Sequence, residues 1–300
     1  GMSQLVGGTG SDQFVLNALF SGVLDGGDST SGNSIESNLN GGGWRLTGGA
    51  KGTLDLVLSF DNIQTLRGGS GDDNFSLNNI DHDALASFAL IDGGAEGENT
   101  LDLTGQSGNQ SLTIAVVPGQ TADVHLNIRG IQTLVANNNS NTLIGPDINA
   151  TWTVTGEDKG TLEHRETLDD DTYIDWQMAF EGFANITGGS ANDRFDVESG
   201  SISGQIDGGS GSNWLDYSAS TDDVVVTIGG SDGAAGTITN IQGFIGNHDS
   251  NSANPFNSKL IIANAAAGSV NNWLIALLEE HNSNEIISDG INDGVYNKGA

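Results

Sequence analysis

Pairs of glycine residues recur along this chain at intervals of about 20 residues, and this spacing limits the fold more than any other feature. The motif apolar-x-Gly-Gly begins at residues 5, 24, 46, 66 and 91, and again at residues 186 and 206. Short runs of alternating apolar residues lie between these glycines, for example 53–58, 111–116 and 224–228. Alternation with period two predicts half-buried strands, and glycine permits the sharp corners between them.

A corner every 20 residues or so, with two or three short strands between corners, is typical of a parallel β-helix. We therefore expect an all-β fold, a right-handed parallel β-helix solenoid of about 13 coils. The alternative is a row of β-sandwich domains of about 100 residues each, whose strands would not need a Gly-Gly corner at this spacing. The predicted inward-facing row of the solenoid consists of Phe14, Leu16, Leu66, Phe75, Leu77, Leu101, Leu103, Ile186, Phe195, Val197, Leu215 and Ile241.

A longer repeat contains this short period. A Trp box at 44–54 recurs at 152–162, and a GGxGxD box at 66–77 recurs at 5–16 and at 186–197. An Asp-Gly-Gly box, followed by Asn, occurs at 24–27, 91–94 and 206–209, and an Ile-Gln box occurs at 128–134 and 238–244. We expect a single solenoid over 3–272, with a partial repeat at 3–43 and repeats at 44–151 and 152–272, cut from a longer array.

Two segments depart from the repeat. The second copy carries an extra dozen acidic residues around 163–176, which we expect to form a protruding surface loop, since insertions in solenoids map to loops. Residues 273–300 are expected to be a cap or the start of a truncated further repeat. Within them 273–281 has helix-forming residues and no alternation, which predicts a short C-terminal capping helix.

Charge and composition exclude several classes of function. The 300 residues contain 9 Lys+Arg and 39 Asp+Glu, so the formal net charge is −30. This charge repels phosphate backbones and anionic membrane surfaces, and we expect neither nucleic acid as a partner nor membrane insertion. The chain has no Cys, which excludes disulfides, thiolate metal sites and a cysteine nucleophile.

Two of the glycine boxes, 7–15 and 68–76, match the pattern GGxGxDxUx in full, where U is apolar. This pattern resembles the haemolysin-type (RTX) calcium-binding nonapeptide of secreted bacterial proteins. The resemblance implies calcium as a cofactor, with Asp12, Asp73 and Asp193 as metal ligands. The box that contains Asp193 lacks the third glycine, and every box stands singly rather than in tandem. The alternative is that the boxes are structural corners without metal.

The order of Trp box, GGxGxD box and Asp-Gly-Gly box resembles modules of very large bacterial exoproteins of the adhesin and haemagglutinin type. This resemblance implies an extracellular or cell-surface location and a role as a stalk or ligand-binding surface. The partner would then be a glycan or a protein on another surface. We therefore expect a non-enzymatic segment of such an exoprotein.

A second hypothesis is a carbohydrate-active enzyme, because β-helices can carry polysaccharide hydrolases and lyases. The acidic segment near Glu163, with His164 beside it, could pair carboxylates for glycoside hydrolysis, or could be a solvated acidic surface. A lyase acting on acidic sugars needs cationic side chains, and this chain has few. Trp44 and Trp152 could stack on sugars, but their equivalent places in the repeat favour a core role.

Overall fold

The structure is a computed structural model that describes residues 3–28, 32–77, 87–106, 111–113, 128–137, 140–168, 171–220, 225–228, 237–245, 259–262, 274–276 and 285–288. The described residues form 28 strands and contain no helix. Among them there is accordingly no helix with the length and apolar character needed to cross a membrane. The chain divides into two compact units, one within 1–139 together with Met178–Phe180 and the other within 140–177 and 181–300.

The first unit contains fourteen described strands. They are β1 Gln4–Val6, β2 Gln13–Leu16, β3 Gly22–Asp25, β4 Ser34–Ser37, β5 Gly42–Leu46, β6 Gly52–Leu54, β7 Leu58–Asp61, β8 Thr65–Arg67, β9 Asp73–Leu77, β10 Leu90–Asp92, β11 Thr100–Asp102, β12 Ser111–Thr113, β13 Ile128–Arg129 and β14 Thr133–Val135.

Thirteen of these strands form two sheets in which most strands are parallel. One has the order β1-β3-β7-β6-β5-β9-β11-β14, and the other has the order β2-β4-β8-β10-β13. The strands pair in parallel, except that β6 runs antiparallel to both β5 and β7. The glycine corners connect the sheets: 7–8 joins β1 to β2, and 68–69 joins β8 to β9.

The second unit repeats this organisation. Its strands are β15 Thr142–Ile144, β16 Thr151–Gly156, β17 Lys159–Leu168, β18 Asp171–Glu181, β19 Asn185–Thr187, β20 Arg194–Val197, β21 Gln205–Asp207, β22 Trp214–Asp216, β23 Val225–Ile228, β24 Thr237–Thr239, β25 Gly243–Ile245, β26 Lys259–Ile262, β27 Leu274–Ala276 and β28 Glu285–Ser288. One sheet has the order β18-β17-β16-β20-β22-β25-β27, and the other has the order β15-β19-β21-β24-β23-β26-β28.

The glycine corners lead from one sheet to the other, and most strands pair in parallel with strands of neighbouring layers, unlike the antiparallel pairing of a β-sandwich. The described strands form an all-β fold of long parallel sheets, which is consistent with the predicted β-helix. Eleven of the twelve residues predicted for the inward row are at most 6% exposed. The exception is Phe14, which is half-buried because β2 is the last of the described strands of its sheet.

The two Trp boxes supply the largest buried side chains. Trp44 and Trp152 are fully buried, as predicted. The Trp44 ring stacks on Phe75 at a centroid distance of 5.5 Å, and the Trp152 ring stacks on Phe195 at 5.9 Å. In both cases the Trp and the Phe are direct partners on adjacent parallel strands. Each pair therefore fixes the register between a Trp box and the GGxGxD box that packs on it.

The first Trp box is a hairpin rather than a corner followed by one strand. The motif at 46–49 turns β5 back into antiparallel β6, and the alternating run 53–58 is broken by a second turn. That turn places Asp55 and Leu56 in the left-handed region, with φ of 50° and 57°. Leu56 is apolar, so the alternation of apolar residues continues through the turn and the sequence pattern does not reveal the turn. In the structure the Leu56 side chain is 75% exposed.

Two further expectations differ from the structure. The acidic segment 163–176 was expected to be a loop, but its described residues lie in the long hydrogen-bonded strands β17 and β18, which extend the hairpin of the second Trp box. The predicted capping helix at 273–281 is wrong at Leu274–Ala276, which form β27 and pair in parallel with β25. The other residues of that segment lie outside the described residues.

Candidate functional site

The three aspartates predicted as metal ligands occupy the same position in three glycine corners. Each Asp carboxylate accepts a hydrogen bond from the backbone N–H of the second glycine of its box, four residues earlier. The distances are 2.8 Å for Asp12 and Gly8, 2.9 Å for Asp73 and Gly69, and 3.0 Å for Asp193 and Gly189. The aspartate therefore closes the corner of its own layer.

Each of these aspartates also begins a polar ladder, which we define as an Asp, an Asn and a Gln stacked in successive layers. The Asp backbone N–H donates to the Asn side-chain oxygen of the next layer at 2.8–2.9 Å, and the Asn N–H donates to the Gln side-chain oxygen one layer further on at 2.7–3.0 Å. The three ladders are Asp12–Asn33–Gln64, Asp73–Asn99–Gln132 and Asp193–Asn213–Gln242.

The Asn of each ladder is fully buried, and its side chain acts both as hydrogen-bond acceptor and as donor. Its side-chain amide donates to the carbonyl of a residue that lies two positions before the ladder Gln. These carbonyls belong to Asn62, Gly130 and Asn240, whose φ values of 57°, 61° and 54° lie in the left-handed region. Asn and Gly adopt this region more readily than other residues. The Ile-Gln box therefore encodes a turn whose carbonyl completes the ladder.

Close contact between layers explains the paired glycines. The second glycine of each Asp-Gly-Gly box has positive φ, 81° at Gly27, 104° at Gly94 and 72° at Gly209. A Cβ atom at any of the three would lie 2.4 Å from the carbonyl oxygen of the glycine stacked against it, which is Gly8, Gly69 or Gly189. No side chain fits at that distance. The Gly-Gly pairs are required by the approach of one layer to the next.

The first member of the Gln set, Gln64, was not assigned to an Ile-Gln box in the sequence analysis. The boxes at 128–134 and 238–244 contain Gln132 and Gln242, but the equivalent residue Gln64 lies in the segment 60–66, between the Trp box and the GGxGxD box. The signal was present, because Asn62, Ile63 and Gln64 repeat the turn residue, the apolar residue and the Gln of the other two boxes.

The second carboxylate oxygen distinguishes the three aspartates. In Asp73 it accepts the indole N–H of Trp44 at 2.9 Å, and in Asp193 it accepts the backbone N–H of Ala150 at 3.0 Å. Burial raises the pKa of Asp73 above its ordinary value, although the Trp44 and Gly69 donors act to lower it. Burial raises the pKa of Asp193 to about 6, against the lowering effect of Ala150 and Gly189. Asp12 is half-exposed.

The carboxylates of Asp73 and Asp193 fit a hydrogen-bonded corner better than a calcium site. Calcium takes six to eight oxygen ligands, whereas both oxygens of Asp73 and of Asp193 face N–H donors. Within the part of the chain that the structure describes, no group of three or more His, Cys, Asp or Glu could hold a metal ion. The calcium site at Asp12, Asp73 and Asp193 stays a prediction, and its test is given below.

The acidic segment forms local pairs where its side chains are described. Glu163 is 5% exposed and forms an ion pair with Arg165. His164 Nδ1 lies 2.7 Å from the carbonyl oxygen of Asn149, and its ring lies 6.4 Å from that of Trp176. These contacts hold the base of the extended hairpin. Asp169 and Asp170 lie outside the described residues.

An open groove of about 440 Å³ lies beside a row of alternating charges in the first unit. Glu36, Arg67, Asp92 and Arg129 are direct partners on four adjacent strands. Arg129 forms an ion pair with Asp92. Arg67, which lines the groove with Glu36 and Asp92, forms no ion pair with any described residue, and its Nε is buried without a hydrogen-bond partner.

Comparisons with protein-family models, with curated protein sequences and with solved structures find no match to this chain.

Replacing the ladder residue Asn99 by Ala is expected to destabilise the protein by about 2–4 kcal/mol. The substitution leaves the buried N–H of Asp73 and the carbonyl of Gly130 without their partner. The free energy of unfolding, measured by urea denaturation, checks this expectation. Asn74→Ala is the matched control, because Asn74 is exposed on the neighbouring strand, and it should change stability by less than about 0.5 kcal/mol. Equal losses in the two variants would contradict a structural ladder.

The raised pKa of Asp193 predicts that its contribution to stability falls as pH rises through about 6. Between the ordinary Asp pKa of 3.8 and about 6, the folded protein holds a proton at Asp193 that the unfolded chain does not. The melting temperature should therefore be higher at pH 5 than at pH 7, and this gain should be smaller in Asp193→Asn. Asp12→Asn, at the half-exposed equivalent position, is the control. An unchanged gain in Asp193→Asn would show that other groups cause the pH dependence.

Calcium and magnesium are expected to raise the melting temperature by similar amounts, because both screen a net charge of −30. The same shifts should appear in Asp73→Ala. A calcium site would respond differently, since magnesium resists irregular oxygen geometry. A calcium-selective shift that is lost in Asp73→Ala would overturn this expectation and establish the metal site.

Proposed function

We propose that this chain is a non-enzymatic segment of a secreted or cell-surface bacterial exoprotein, and that it serves as an adhesin-like stalk or ligand-binding solenoid. In this proposal the parallel sheets close into a right-handed β-helix of about 13 coils. The observation that carries the proposal is the recurrence of one polar ladder, with the same contacts, in three separate corners. A structure that stacks by a repeated contact extends along one axis, as a stalk requires.

The use of the acidic residues also supports a structural role. The box aspartates are bonded to backbone N–H groups. The carboxylates of Asp25, Asp92 and Asp207, in the Asp-Gly-Gly boxes, accept from the N–H of the second glycine. Carboxylates held in this way stabilise corners, whereas a glycoside hydrolase needs two carboxyl groups that can act on a substrate. Of the two carboxylates that line the groove beside Arg67, Asp92 is already paired with Arg129 and with the N–H of Gly94.

The groove beside Arg67 supports the ligand-binding part of the proposal. It is open and lined by charged side chains, by glycine and alanine, and by the polar side chains of Ser37, Asn38 and Ser70. Surfaces of this kind suit a hydroxyl-rich ligand, and a glycan or a protein loop on another surface would supply the partners that Arg67 lacks within the described residues. The extracellular location follows from the resemblance to exoprotein modules.

Small-angle X-ray scattering tests the architecture. A stack of about 13 coils at a spacing of about 4.8 Å is roughly 60 Å long. A compact domain of 300 residues has a radius of gyration of about 19 Å, which corresponds to a sphere roughly 50 Å across. We expect a skewed distance distribution with a maximum dimension of at least about 60 Å. A symmetric distribution ending near 50 Å would contradict the stalk.

The same preparation distinguishes the stalk from the enzyme hypothesis. Incubation with a panel of neutral and acidic polysaccharides should release neither reducing ends nor unsaturated sugars above the level of the heat-denatured protein. Release that saturates with substrate and is lost on heating would overturn the non-enzymatic assignment. Glu163→Gln would then test whether the acidic segment carries the activity.

A further inference from the structure

The outer edge of the first glycine corner presents a surface that is covered in the other two copies of the same corner. In β9 and β20 the sequence Asp-x-Phe-x-apolar is packed against a Trp box, with the Trp as direct partner of the Phe. The first corner has the same residues, with Asp12 immediately before β2 and Phe14 and Leu16 within it. β2 forms the end of its sheet among the described strands, so it has β4 on one side only.

The side chains along this edge are more exposed than the equivalent side chains of the other two corners. Phe75 and Phe195 are 0% exposed, whereas Phe14 is half-buried. Asp73 and Asp193 are 1% and 2% exposed, whereas Asp12 is half-exposed. On the adjoining strand Leu5 is 36% exposed, and the residues at the same box position, Leu66 and Ile186, are 0% exposed. The same inward row is therefore left open at this corner alone among the three.

The contacts at the two covered corners show which kind of strand would fit against β2. In the first Trp box, Trp44 stacks on Phe75, its indole N–H donates to Asp73, and Leu46 lies opposite Leu77. In the second, Trp152 stacks on Phe195 and Val154 lies opposite Val197. Both strands carry a Trp followed two residues later by an aliphatic residue, in parallel register with the corner strand.

We propose that the edge formed by Asp12, Phe14 and Leu16 binds a further Trp hairpin of the same type. The incoming strand pairs in parallel with β2, its Trp ring covers Phe14, and its indole N–H donates to the Asp12 carboxylate. The partner is a segment other than the two Trp boxes of this chain, since Trp44 and Trp152 are already fully buried. The interface goes beyond the proposed function, because it depends only on the equivalence of the three corners.

Binding of a labelled peptide tests the proposal. The probe is a fluorescein-labelled peptide of residues 41–61, which contains β5, β6 and β7 and so can form three strands. Fluorescence anisotropy with the full chain should show saturable binding. Replacing Trp44 by Ala in the peptide, or Phe14 by Ala in the protein, should weaken binding about tenfold or more, because each removes one ring of the stacked pair.

The matched control is Val15→Ala. Val15 lies on the same strand between Phe14 and Leu16, is 47% exposed and points to the opposite face, so its loss should change affinity by less than about twofold. Asp12→Ala should weaken binding by an intermediate factor. No binding, equal binding of both peptides, or equal effects of Phe14→Ala and Val15→Ala would each overturn the proposal.

A second measurement does not depend on a free peptide being folded. A copy of residues 41–64 is fused ahead of Gln4. Gln4 corresponds to Thr65, the first residue of β8, so the copied hairpin precedes β1 just as residues 41–64 precede β8. The fusion should melt at a higher temperature than the same fusion with Ala in place of the copied Trp. Equal melting temperatures would contradict the interface. Self-association of the unfused chain that is lost in Phe14→Ala would assign the edge to a second copy instead.

Discussion

The buried backbone N–H of the aspartate in each glycine corner is the group on which this architecture depends. A strand ladder cannot satisfy it, because the chain turns there, and an unpaired N–H in the interior is costly. The protein solves this with the Asn side chain of the next layer, whose own N–H is satisfied by the Gln of the layer after it. Stacking in register is therefore required at the corners as well as in the sheets.

The polar ladder depends on the paired glycines of the corners. The ladder works only if adjacent corners approach within hydrogen-bond distance, and at that distance a Cβ on Gly94 would lie 2.4 Å from a carbonyl oxygen. Asparagine then serves both neighbours, because it has an acceptor for the N–H of Asp73 and a donor for the carbonyl of Gly130. The paired glycines and the aspartate of each box therefore match the sequence pattern of a calcium motif, although the aspartate carboxylates accept hydrogen bonds from N–H groups.

The repeat and its core could be predicted from sequence because they depend on local rules. Gly-Gly marks a corner, and alternation marks the inward face, so Phe75 and Phe195 were assigned correctly. The features that were missed depend on tertiary contacts or on exceptions to those rules. Leu56 occupies an exposed left-handed turn that favours Gly or Asn, and its apolar side chain extends the strand pattern through the turn. Leu274–Ala276 has good helix formers but pairs with β25, so sheet contacts override intrinsic propensity.

Stacking in parallel register also restricts where charge can lie in so acidic a chain. Residues at equivalent positions of adjacent layers are about 4.8 Å apart, where like charges repel. Each of the three Asp-Gly-Gly aspartates has a donor in the next layer: Arg129 for Asp92, and the side-chain amides of Asn62 and Asn240 for Asp25 and Asp207. Asp25 also lies opposite Asp61, whose carboxylate forms an ion pair with Lys51. All three aspartates also accept the N–H of their own glycine turn, so part of each carboxylate's charge is already stabilised within its own layer. Few of the Asp-Gly-Gly aspartates therefore need a cationic partner. Arg67 lies instead between the carboxylates of Glu36 and Asp92 on the two neighbouring strands, and a groove opens beside its guanidinium group.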